Sequence, residues 1–160
     1  MIYFLITLIT FVTMECITWL THKYVMHGFL WILHEDHHQP GYKTVFEKND
    51  LFFFIFAVPS SLLIYSGCQN AYNYLFFIGM GILFYGMAYF FVHDVLIHQR
   101  LPWFKNTNIV YFRALRKAHK IHHKHLDKPD GECFGMLFVP LKYFREAAQY
   151  QKSTKWNCCI

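Results

Sequence analysis

Residues 1–22 and 49–99 contain no Lys or Arg; all 15 lie in 23–48 and 100–155. A soluble fold does not segregate its cations this way, because its surface needs charge along the whole chain. Within the cation-free regions three apolar segments stand out: about 2–20 (IYFLITLITFVTMECITWL), 51–66 (LFFFIFAVPSSLLIYS) and 71–92 (AYNYLFFIGMGILFYGMAYFFV). Crossing the hydrocarbon core takes roughly 20 apolar residues, with a range of about 17–25. The first and third segments meet that length. The second is shorter and carries Pro59, which membrane helices tolerate. GCQN at 67–70 has the Gly and Asn of a turn and joins segments two and three into a hairpin. Hydrophobic residues at 55% against 16% charged agree with lipid as the main solvent.

The first segment lacks the basic start and small-residue cleavage site of a secretory signal, so it reads as a membrane helix. If all three segments cross, the basic regions share one side, and the positive-inside rule makes that side cytoplasmic. The expected fold is all-α: one domain over 1–160, an integral membrane helical bundle with a histidine-rich helical cap on the cytoplasmic face. Residues 108–126 (NIVYFRALRKAHKIHHKHL) read as a helix near the interface, 127–132 (DKPDGE) as a turn, and 134–144 as an apolar cap broken by Pro140. The net charge of +5 suits an anionic bilayer surface, and no aromatic–basic platform points to nucleic acid. The five cysteines form no C-x-x-C pair, which argues against a zinc ribbon, an iron–sulfur cluster or a disulfide framework.

The 11 histidines are the anomaly. His22 and His27 form H-x4-H, and His34, His37 and His38 form H-x2-H-H. The same order returns in His93 and His98, then His119, His122 and His123; His125 is left over. On an α-helix the i, i+3, i+4 triples share a face. The H-x4-H pairs do not: five α-helical steps leave about 140° between the side chains. Each pair can therefore serve one cluster only beside a helix end or between helices. The hairpin returns the chain to its starting side, so all four motifs meet at one membrane boundary. Ten imidazoles at one depth, each needing a partner when buried, point to a metal site. They exceed the ligand capacity of one ion and fit two ions with open positions. Imidazole suits iron, zinc, copper and nickel, and spacing alone does not choose.

The words around the histidines choose further. MECITWLTHKYVMHGFLWILHEDHHQP, YFFVHDVLIHQRLP, RALRKAHKIHHKHL and GECFGMLFVP resemble the fatty acid hydroxylase/sterol desaturase superfamily, and within it the bacterial β-carotene hydroxylases, over about residues 14–140. The resemblance implies a membrane-bound non-haem di-iron monooxygenase. It would hydroxylate C3 of a carotenoid β-ring, from β-carotene through β-cryptoxanthin to zeaxanthin, using O2 and two electrons from a ferredoxin-type donor. It also implies iron ligation by His22, His27, His34, His37, His38, His93, His98, His119, His122 and His123. Related enzymes acting on fatty acyl chains or sterols, and carotenoid ketolases, share the motif order.

Other residues gain roles by position. Glu15 lies seven residues before His22, within roughly 20° of the same helical face, and Asp94 follows His93, so both are candidate hydrogen-bond partners of metal-bound imidazoles. An acid inside a membrane helix is costly and points to function. Glu35 and Asp36 read as solvated. Phe52, Phe53, Phe54, Tyr85, Tyr89, Phe90 and Phe91 face lipid, pack between helices or line a substrate path. No nucleotide-binding motif is present, so electrons come from outside. The basic face with Arg113, Arg116, Lys117, Lys120 and Lys124 suits an acidic ferredoxin or anionic headgroups equally. A metal transporter would place its ligands near the midplane instead.

Overall fold

In the computed structural model the described residues are 1–39, 46–101, 103–125 and 132–157, with side chains to 151. Among them every regular element is helical. The chain divides into two compact units, Met1–Ala88 and Tyr89–Ile160.

In the first unit α1 (Ile2–Leu20) runs into a π-helix, π1 (Thr21–Phe29), followed by α2 (Trp31–His38). A short 3-10 turn, Lys48–Leu51, leads into α3 (Phe52–Gln69), and α4 (Tyr74–Phe90) returns. Three helical stretches are long and apolar enough to cross a bilayer: Ile2–Phe29, Lys48–Gln69 and Tyr74–Ile97. Their outward faces carry exposed Phe4, Leu8, Ile9, Phe53, Leu62 and Met87. Water would make that apolar exposure costly, whereas lipid removes the cost. This is an integral membrane protein.

The hairpin turn lies just beyond the predicted 67–70. The helix continues through Gln69, and the reversal uses Ala71 and Tyr72, both at φ 55. Asn70 Nδ2 donates to the Ser66 carbonyl, and Asn73 Oδ1 accepts the Leu75 N–H. Gly67 serves packing instead of turning: a Cβ there would collide with the backbone of Phe76. Gly79 has the same role deeper in the hairpin, where a Cβ would come within 2.9 Å of the Ser60 carbonyl and the Ile64 nitrogen. Ser60 Oγ donates to the Gly79 carbonyl at 2.8 Å, so the close approach also satisfies a buried hydroxyl. On α1 the buried residues are Met14, Glu15 and Thr18, while Ile2, Phe4, Ile9 and Leu20 are exposed. Thr7 and Tyr3 join α1 to Phe77 of α4.

The second unit begins with the last residues of α4 and a second π-helix, π2 (Phe91–Ile97). Then come α5 (Val110–His122) and α6 (Leu141–Asn157). Val92, Leu96, Leu115 and Met136 form one buried cluster; Ala114, Ala118, Tyr143 and Ala147 form another between α5 and α6. The small residues on α5 let α6 pack closely. Pro140 ends the 134–140 segment and α6 starts at Leu141, so residues 141–144 belong to a helix, not to a broken cap. Residues 127–131 of the predicted turn, and Cys158 and Cys159, lie outside the described residues. Cys16, Cys68 and Cys133 are free thiols.

Candidate metal centre

His22 and His27 lie in π1, and His93 lies in π2 with His98 as its C-cap. The Leu30 N–H reaches the Val25 carbonyl at 3.0 Å, and the His98 N–H reaches the carbonyl of His93 itself at 2.9 Å, each an i→i+5 bond. A π turn holds more residues than an α turn, so side chains five apart, spread on an α-helix, come back to one side. The rings of His22 and His27 stand 5.1 Å apart, and those of His93 and His98 4.5 Å. The expected obstacle of about 140° is removed by the backbone. Gly28 then leaves the helical region (φ −118, ψ −125) and turns the chain into α2.

In the first unit this brings one ligand nitrogen from each of His22, His27, His34 and His38 within 4.8 Å of the others. His34 Nε2 lies 3.1 Å from His22 Nε2 and 3.0 Å from His38 Nε2. In the second unit His93, His98 and His119 meet the same limit. His119 Nε2 lies 2.8 Å from His98 Nε2 and 2.8 Å from His123 Nε2. Eight of the ten predicted histidines are buried; His98 and His123 are half-buried. On α2 the rings of His34, His37 and His38 stand 4.7–5.7 Å apart, but only His34 and His38 belong to the first-unit group.

These convergences do not suit hydrogen bonding alone. Asn49 Oδ1 accepts from His34 Nδ1 at 2.6 Å, which puts the His34 proton on Nδ1 and leaves one lone pair on Nε2. That lone pair would have to serve both His22 and His38. A cation at the meeting point would satisfy all three. With metal–nitrogen bonds of about 2.0–2.1 Å, nitrogens bound to one ion lie roughly 3 Å apart. The observed 2.8–3.1 Å separations are of that size. A donor set of imidazole nitrogens fits a nitrogen-ligated metal, iron included.

Several of the far nitrogens are held from outside. His37 Nδ1 donates to Glu47 Oε2 at 2.8 Å, and His122 Nδ1 to the Glu132 carbonyl at 3.1 Å. Asp94 Oδ2 stands 3.4 Å from His93 Nδ1, while its Oδ1 meets Arg100 Nε at 3.1 Å. Asp94 therefore lies between the His93 ring and Arg100. Glu15 is buried, and Tyr85 Oη donates to its Oε2 at 2.6 Å. Glu35 is exposed, but Asp36 is not solvated: it is buried, and its Oδ2 accepts the Lys48 N–H at 2.7 Å. Asp36 thus pins the 47–50 turn against the histidine helix. Glu47 and Asp50 add a reciprocal cap to that turn.

Glu47, Asn49 and the Glu132 carbonyl escaped sequence reading. The signal was there for two of them: FEKND, residues 46–50, crowds polar groups directly before an apolar helix. Nothing in the sequence marks a backbone carbonyl. Apolar walls complete the setting: Trp31 on His27 and His38, Phe52 on His34, Tyr89 stacked on His93 at 5.0 Å, and the fully buried Phe134 on His122. Of the other path candidates, Tyr85 is buried, Phe91 packs on Phe104 and Phe112, and Phe53, Phe54 and Phe90 are exposed. Glu132 is itself anchored: Lys142 and Tyr143 donate to its carboxylate and hold it below the usual carboxylate range.

The comparisons agree with this arrangement. The family model described as "Fatty acid hydroxylase" matches residues 7–144. A β-carotene hydroxylase of Pantoea ananas is 43% identical over 85% of this chain and 77% of its own. One of Pseudescherichia vulneris is 40% identical over 84% of this chain and 76% of its own. A chloroplastic β-carotene hydroxylase 1 of Capsicum annuum is 40% identical over 74% of this chain but 38% of its own. No solved structure matches. A family match across most of the chain, together with relatives at this identity, makes this protein a member of the fatty acid hydroxylase family.

Proposed function

We propose that the chain is a membrane monooxygenase that hydroxylates C3 of carotenoid β-rings, converting β-carotene through β-cryptoxanthin to zeaxanthin, with residues 1–160 working as one hydroxylase. The supporting observation is the pair of histidine clusters with 2.8–3.1 Å nitrogen spacings in a chain this similar to β-carotene hydroxylases. Each turnover consumes a ring C–H, O2, two electrons and two protons, and yields the alcohol and water.

In this reading the ten histidines hold two iron ions, which when bound supply the O2-activating redox chemistry. The protein does the rest. Glu47, Asn49, Asp94 and the Glu132 carbonyl orient the imidazoles. Trp31, Phe52, Tyr89 and Phe134 keep water from the ligands. The lipid-facing helices admit an apolar substrate from the bilayer. Electrons come from a separate ferredoxin-type donor, and the metal centre faces the cytoplasm at a bacterial inner membrane. Glu15, held by Tyr85, positions the α1 face that continues into His22.

The test is pigment analysis of β-carotene-producing bacterial cells expressing the full chain beside a His34→Ala variant. β-Cryptoxanthin and zeaxanthin are expected with the intact chain only. Unchanged β-carotene from membrane-inserted, iron-loaded protein with a competent donor would transfer the reading to a fatty-acyl or sterol substrate.

A further inference from the structure

Beside the histidines, the second unit carries a cleft of about 610 Å³ that the proposed reaction does not use. Its lining includes five cations, Lys105, Arg113, Arg116, Lys117 and Lys120, against one carboxylate, Glu146. Three cations are already engaged. Arg116 donates from Nε to the Leu96 carbonyl at 2.8 Å, from Nη1 to Lys105 O at 2.9 Å and from Nη2 to Phe104 O at 2.6 Å. Lys117 pairs with Glu146 at 2.6 Å, and Arg113 lies 4.1 Å over the Tyr150 ring. Lys105 and Lys120 are exposed and have no carboxylate partner among the described residues.

The same bonds tie the cleft to the end of an apolar helical stretch. Leu96 lies in the last turn of the third membrane-crossing stretch, Tyr74–Ile97. The Arg116 guanidinium that lines the cleft is therefore bolted to the membrane end of that helix, and beside the carbonyls it grips Trp103 and Phe104 are exposed. Trp is enriched at the headgroup level, and Trp103 follows six residues after that stretch ends. A concave, cationic site at that depth faces phosphodiesters wherever the leaflet contains anionic lipid.

We propose that this cleft binds the headgroup of an anionic phospholipid, with Lys105 and Lys120 as the phosphate-binding cations and Arg116 as the strut that holds the 104–105 loop at the cleft. The inference does not depend on the carotenoid reading.

The experiment reconstitutes the full chain in vesicles of phosphatidylcholine with phosphatidylglycerol and measures relative association of spin-labelled phosphatidylglycerol and phosphatidylcholine. A headgroup-depth cation contributes about 1 kcal/mol, a factor of about five. The intact chain should prefer phosphatidylglycerol by at least about fivefold, and K105Q/K120Q should bring the two lipids within about twofold. Lys105→Gln keeps the backbone carbonyl that Arg116 grips, so the loop is retained. Arg145→Gln, which removes an exposed α6 cation outside the cleft, should leave the preference unchanged. An unaltered preference in folded K105Q/K120Q would overturn the proposal, as would equal loss in Arg145→Gln. Abolition of the preference by millimolar inorganic phosphate would assign the cleft to free anions instead. Slower reduction by an acidic ferredoxin, with lipid preference intact, would make it a protein-docking face and also overturn the proposal.

Discussion

Glu47 offers the sharpest single-residue test of how the histidines are held. Its carboxylate accepts from His37 Nδ1 at 2.8 Å and also caps the turn Lys48–Leu51. Glu47→Ala removes both. Loss of an outer partner of a metal-bound imidazole typically costs 10–100-fold in metal affinity, or about 1.4–2.7 kcal/mol. Loss of the cap costs about 1 kcal/mol more, but in fold stability, not in affinity. Glu47→Gln keeps one acceptor oxygen for His37 Nδ1 and gives up the charge, a loss of about 1 kcal/mol or roughly fivefold in affinity. Iron(II) competition against a coloured chelator, performed anaerobically on detergent-solubilised full chain, reads affinity. Melting of metal-free protein reads the cap separately. The order intact > Glu47→Gln > Glu47→Ala is predicted. A folded Glu47→Ala that binds iron as tightly as the intact chain would refute the orienting role of Glu47.

Other outcomes follow from single contacts. Tyr85→Phe strips the buried Glu15 carboxyl of its 2.6 Å donor and should destabilise by about 1–3 kcal/mol in a thermal-melting assay, whereas adding Glu15→Leu should recover some of the loss. Gly79→Ala forces a methyl against Ser60 O and Ile64 N and should cost about 1–3 kcal/mol; Gly86→Ala, with nothing within 4 Å, should not destabilise. Burial pushes the Cys133 thiol up to about 11, so its alkylation rate should keep rising to about pH 11 instead of levelling near 9. For Glu132 the folded pKa is depressed, so its contribution is present above the ordinary carboxylate range and lost as pH falls through the depressed value; the stability gap to Glu132→Gln should close in acid.

The sequence carried the membrane helices and the histidine inventory because both rest on strong local signals: cation-free apolar length and i, i+3, i+4 spacing. It misplaced the hairpin turn because Gly67 reads as a turn residue while its lack of a Cβ is used for helix–helix approach. It left H-x4-H unresolved because the α-helical angle was applied to backbone that is π-helical; five-residue spacing is itself the sign of such a turn when both residues must meet. Asp36 looked solvated because its partner, the Lys48 N–H, lies twelve residues away. The helix Leu141–Asn157 was missed because Pro140 drew attention to a break and its amphipathic face is short.

Iron content and product, measured on one sample, test the metal centre most directly. Full chain reconstituted anaerobically with iron(II), then supplied with β-carotene, a reduced ferredoxin and O2, should contain two irons per chain and form hydroxylated carotenoid. His34→Ala, which removes the imidazole nearest both His22 and His38, should lose iron and product together. Full hydroxylation by His34→Ala, or by protein holding no iron, would contradict the histidine-ligated centre.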